Sequence, residues 1–163
     1  MNQGEPIANY VVMPIPESVA REVRETRKAP VYGHPAHVEV ANGYGPCRLC
    51  LRPMVVDQDE RLLFTYDPFA GREPFPLPGP IFVHATECPP HESGAFPDDL
   101  RFIPLTLNAY ASGRRLIAQE RLDNSHDGQV ERALSRLFDD PSVAYVHLRN
   151  TEAGCFIAQA ERR

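Results

Sequence analysis

The stretch RFIPLTLNAYASGRRLIAQERL, residues 101–122, decides the fold class. Two apolar, β-prone runs flank Ser112-Gly113, a dipeptide suited to a hairpin turn. In the first run Ile103, Leu105 and Leu107 oppose Thr106, Asn108 and Tyr110, the period-two pattern of a strand with unlike faces. Pro104 places this strand at a sheet edge or a bulge, because proline donates no ladder hydrogen bond.

The same pattern recurs outward from this hairpin. VAYVHLRN (143–150) turns through Thr151–Gly154 into CFIAQAER (155–162), a second hairpin. IANYVV (7–12), RLLFTY (61–66) and IFVHA (81–85) are further short strands. Between the last two, prolines at 74, 76, 78 and 80 exclude a helix and predict a stiff extended connection rather than a paired strand. ESVAREVRETRK (17–28) reads as a helix with Val19, Ala20 and Val23 on one side and Glu17/Arg21 and Arg21/Glu25 at i,i+4 spacing. Val130, Ala133, Leu134, Leu137 and Phe138 make a clean helical stripe over 127–138, with Ser125 or Asp127 to cap its start and Pro141 beyond its end. Strands cluster, and no strand–helix alternation appears. The expectation is an α+β fold, a single domain over 1–163, with a largely antiparallel sheet and about two helices.

A chain of 163 residues can bury about 70% of its unfolded surface, so it needs neither metal nor disulfide merely to fold. A net charge of −5 argues against a nucleic-acid partner, and the basic residues of the first helix read as a solvated face. MNQGEPIANYVVMPIP lacks the pattern of a secretion signal, and no run approaches the roughly 18 apolar residues of a membrane span. The expected location is therefore the cytoplasm, without a membrane partner, where thiols stay reduced. Phosphate loops, the dinucleotide fingerprint, the nucleophile elbow and the zinc-protease helix are all missing.

GYGPCRLC (43–50) sets Cys47 and Cys50 two residues apart, and GPIFVHATECPPH (79–91) supplies His84, Cys88 and His91. Zinc takes four such ligands in a tetrahedron, and ligand pairs two to four residues apart suit it. Cys47, Cys50 and Cys88 with either His84 or His91 would make such a site, and Cys155 could substitute for one of them. Plain burial of the cysteines in the core is the competing reading. A reactive dithiol would call for a helix start after Cys50, which Leu51, Arg52 and Pro53 do not provide.

Strand alternation suggests a second place for chemistry. Tyr145, His147 and Arg149 share one face against Val146 and Leu148, and Phe82 and His84 share another. Arg149 could clamp a carboxylate or phosphate, and His84 or His147, with an ordinary pKa near ~6.5, could exchange protons. Arg48, Tyr110 and Tyr145 complete this ligand-binding set for a small molecule. A sheet side simply left wet is the alternative. His34 and His37 flank Pro35 in a loop and His126 lies near a helix start, all three as surface residues.

Read together, GPCRLCL, GPIFVHATEC, VAYVHLRN and GCFIAQAERR resemble the bacterial family known as domain of unknown function 1203. The matching positions are Cys47, Arg48, Cys50, Gly79, Pro80, His84, Cys88, Arg149, Gly154 and Cys155. The resemblance implies one small domain filling nearly the whole chain, and it carries over no activity and no catalytic residues. It directs attention to one shared site around Cys47, Cys50, His84, Cys88, Arg149 and Cys155. Two functions follow as expectations: a metal- or ligand-binding module, with zinc the metal, or an enzyme on a small anionic metabolite. A structural or interaction protein with buried cysteines stands behind both.

Overall fold

Two-faced strands need a cover on each side, and this chain supplies one cover from a helix and the other from a second sheet. The computed structural model describes residues 7–101 and 103–163; the reading of residues 1–6 and of Phe102 lies outside them. The elements run β1 (Tyr10–Met13), α1 (Glu17–Thr26), β2 (His37–Val40), β3 (Glu60–Tyr66), β4 (Gly79–His84), β5 (Leu105–Ala111), β6 (Arg115–Leu122), α2 (Gln129–Phe138), β7 (Tyr145–Asn150) and β8 (Phe156–Arg162). β1-β8-β7-β5-β6 form one antiparallel sheet and β2-β3-β4 another. The α+β class and the two helices match expectation, but the strands divide into two sheets.

The wide sheet turns Leu105, Leu107, Ala109, Val146 and Leu148 toward α2, whose whole predicted stripe from Val130 to Phe138 is buried against them. The narrow sheet packs Leu62, Phe64, Ile81 and Val83 with Ala20 and Val23 of α1 into a second core, which also takes in Cys47 and Cys50. Phe156 of β8 joins that second core and so links the sheets.

Several local expectations are corrected. Pro104 lies just before β5, which is central rather than at an edge; the bulge falls at Ala109/Tyr110, away from the proline. Pro80 does sit in a paired strand, opposite Thr65, and this is tolerated because β4 is an edge strand. α2 starts after Gly128 at φ +77°, a left-handed value that favours glycine, with no side-chain cap from Ser125 or Asp127. His37 begins the short edge strand β2 rather than lying in a loop, although it is exposed. Among the described residues no helix is long and apolar enough to cross a membrane.

Leu134 is fully buried between α2 and the wide sheet. Leu134→Ala is expected to cost about 2–5 kcal/mol, read as a lowered denaturation midpoint at unchanged denaturant slope.

Candidate metal centre and an adjoining cleft

The Cys47–Cys50 segment is a tight loop that gathers two sulfurs on one side. Cys47 N–H donates to Arg52 O at 3.0 Å and Leu51 N–H to Cys47 O at 2.8 Å, while Pro46 and Pro53 bridge at the base. Leu51 takes φ +57°, the backbone role that glycine more often fills. Arg48 N–H donates to Phe82 O at 3.1 Å, which docks the loop on β4 beside His84. Gly45 lies so close that a Cβ there would meet Phe82 Cζ at 2.8 Å.

Four groups converge at the end of β4. One ligand atom from each of Cys47, Cys50, His84 and Cys88 falls within 4.8 Å of every other. Cys47 Sγ is 3.8 Å from Cys88 Sγ, and Cys50 Sγ is 3.5 Å from His84 Nδ1. The His84 amide N–H donates to Cys47 Sγ at 3.4 Å. The far ring nitrogen, His84 Nε2, meets Asp59 Oδ2 at 3.2 Å, and Val55 N–H fixes that carboxylate at 2.7 Å. Val55 and His84 together hold the Asp59 carboxyl below its usual range.

The cluster attracts positive charge. Hydrogen bonds from Cys50 and Cys88 hold the Cys47 thiol far below its ordinary range, and the same neighbours Cys47 and Cys50 push Cys88 far above it. The Cys47 and Cys50 sulfurs raise His84 to about 10. Arg24 of α1 adds a guanidinium, with Nη2 3.1 Å from Cys88 Sγ and Nε 3.0 Å from His84 O. His91 stays outside, its Nε2–H donating to Ala95 O at 2.8 Å. Cys155 stays outside as well, with Sγ 3.8 Å from Ala153 O.

Residues 44–162 match a family model described as protein of unknown function (DUF1203). The chain belongs to the DUF1203 family. No curated protein and no solved structure matches it.

In this DUF1203 chain the expected shared site divides in two. Arg149 and Cys155 line a separate cleft of about 280 Å³ between the sheets, together with Asn108, Tyr110 and Phe156. His84 is not among its walls, so the imidazole of the Cys/His cluster and the guanidinium of Arg149 lie in different places. Arg48 lies between them, 3% exposed, donating to Phe156 O and Pro46 O.

The rest of the polar face is neither wet nor open. Phe69, from the proline-rich connection, is fully buried against it, with ring centroids 5.5 Å from Tyr110, 6.4 Å from Tyr145 and 4.6 Å from His147. Tyr145 donates its hydroxyl to Glu73 at 2.9 Å, and burial with that carboxylate pushes the phenol up. His147 is fully buried and pairs Nε2 with Gln159 Oε1 at 3.0 Å. Its Nδ1 has no partner among the described residues. Burial drops its pKa to about 3, so the ring is neutral at physiological pH, with a single N–H, and carries no imidazolium charge.

Arg24, Asp59 and Phe69 carry no sequence signal that marks them. Each is a common residue type whose role comes from what lies opposite it in space.

His147 binds its proton in the unfolded chain near pH ~6.5 but in the folded chain only near 3, so its contribution is fully present above ~6.5 and is lost as pH falls. Between pH 7 and pH 5 this amounts to about 2 kcal/mol. Denaturant unfolding at the two pH values should show that His147→Phe loses about 2 kcal/mol less stability than the parent; equal losses would contradict a buried neutral ring.

Proposed function

We propose that this chain is a small metal-binding module in which Cys47, Cys50, His84 and Cys88 hold one zinc ion in a structural role. One comparison carries the reading. Zinc–sulfur bonds of about 2.3 Å and zinc–nitrogen bonds of about 2.0–2.1 Å give a tetrahedron with edges of about 3.8 Å for S–S and about 3.5 Å for S–N. The Cys47–Cys88 and Cys50–His84 separations are 3.8 Å and 3.5 Å. The widest ligand pair spans no more than 4.8 Å, about 1 Å beyond such an edge, which side-chain rotation closes.

The surroundings support the same reading. Asp59 accepts from His84 Nε2, which leaves Nδ1 as the ligating lone pair and fixes the ring, the usual carboxylate–histidine support of a metal site. Three thiolates around a divalent ion leave one net negative charge, and Arg24 donates directly to one of the sulfurs. Four protein ligands leave no coordination position for water or substrate, so the ion acts as a staple. It would join the loop at 47–50 to the end of β4 and the segment after it, parts far apart in the chain.

Elemental analysis of protein purified without an affinity metal tests the proposal. The expected result is about one zinc per chain, with Cys47, Cys50 and Cys88 reacting with a thiol reagent only after chelation. Absence of metal, with thiols that react in order of their exposure and ignore chelator, would overturn it. Cys88→Ser should abolish stoichiometric zinc, and Asp59→Asn should weaken zinc affinity by about 10–100-fold while leaving all four ligands in place.

A further inference from the structure

We propose that the cleft between the two sheets binds a small monocarboxylate with an apolar body, its carboxylate held by Arg149 and Asn108. This inference does not depend on the metal centre.

The donors come from neighbouring strands on the inner face of the wide sheet. Arg149 spends Nη1 on Gly154 O at 3.1 Å, and its Nε and Nη2 have no partner among the described residues. No Asp or Glu lines the cleft, so the guanidinium meets no resident anion there. Asn108 is 9% exposed and lines the cleft, and its Oδ1 accepts from Gln119 Nε2 at 2.8 Å, which leaves its amide NH₂ for another partner. That NH₂ has no partner among the described residues, nor has the hydroxyl of Tyr110, which is 8% exposed and also lines the cleft. A carboxamide NH₂ open to the cleft and a free guanidinium fork in the same walls are the donors that a carboxylate would accept from.

The remaining walls select the kind of anion. Ile81, Phe156, Leu77 and three prolines face the donors. One guanidinium backed by neutral donors suits a single negative charge, whereas a phosphate near −2 asks for more cations than the cleft holds. A volume of 280 Å³ corresponds to about nine waters at 30 Å³ each, so the ligand has roughly ten heavy atoms. Hydrocarbon walls opposite a polar end make it amphipathic, with an aliphatic or aromatic body.

Titration of the full chain with benzoate and hexanoate, with benzyl alcohol and inorganic phosphate as controls, tests the proposal. Two readouts serve: the side-chain nitrogen resonances of Asn108 and Arg149, and the rate at which iodoacetamide alkylates Cys155, whose thiol lines the cleft. At least one carboxylate should shift both resonances saturably and slow alkylation of Cys155, while benzyl alcohol and phosphate at equal concentration do neither. Arg149→Gln should weaken the carboxylate by about 10–100-fold, the loss of a charge-assisted contact. Asn108→Asp keeps the acceptor for Gln119 and replaces the donor with a negative charge, so it should weaken binding as well. It serves as the independent variant should Arg149→Gln fail to fold, which the amide spectrum reports. No saturable response to either acid at tens of millimolar overturns the proposal. So does phosphate or benzyl alcohol matching the acids, or affinity unchanged in a folded variant.

Discussion

The buried guanidinium of Arg48 ties the two halves of this fold together. Its Nε donates to Phe156 O at 2.6 Å on the wide sheet and its Nη1 to Pro46 O at 2.5 Å in its own loop. Its planar head lies 4.6 Å from the centroid of Phe82 on the narrow sheet, and Arg61 approaches the same ring at 4.4 Å. Burial lowers its pKa to about 10, which still leaves it charged, and the sulfurs of Cys155 and Cys47 act in the opposite direction. Carbonyl oxygens, an aromatic face and nearby sulfur thus do the work that a carboxylate would do for a buried cation elsewhere. The Cys/His cluster and the cleft lie on either side of this single group.

That position gives the two sites a common electrostatic frame. On the cluster side, Arg24 reaches Cys88 Sγ and Arg48 lies beside Cys47, the thiol that its neighbours hold far below its ordinary range. On the cleft side, Arg149 is the cation that faces open space. The neutral His147 separates Arg149 from the Tyr145–Glu73 pair, and its low proton affinity reflects burial first and the nearby Arg149 and Arg72 second. The protein keeps its buried charges few and distributes them at the margins of two apolar cores.

What could be read in advance was what is local. The stripe of α2 and both wide-sheet hairpins follow from periods of 3.6 and 2 within a few residues, and all are present. The gathering of this cluster was legible for the same reason, since Cys47/Cys50 and His84/Cys88 are close in sequence. The choice of His84 over His91 was not, because it depends on which ring turns toward the sulfurs. Division into two sheets depends on which strands meet across long loops, and neither composition nor period encodes that. Pro104 misled because a proline one residue outside a strand looks the same as one inside it. The polar face of β7 looked like either a site or a wet surface. It is mostly a sealed aromatic layer, because Phe69 arrives from a segment whose prolines suggested only a connection.

That proline-rich segment also supplies Pro68, Leu77, Pro78, Gly79 and Pro80 to the rim of the cleft, anchored by Asp67 Oδ1, which accepts from Phe69 N–H at 3.0 Å and Leu77 N–H at 3.2 Å. Proline has little backbone freedom even in the unfolded chain, so holding this rim in place forfeits little entropy. A guest entering the cavity would meet an aperture already set to size rather than one that must be gathered around it. Such a mouth would act as a gauge, selecting by girth any molecule that the cleft takes, because a rim stiff before binding has little freedom left to remodel around a larger one.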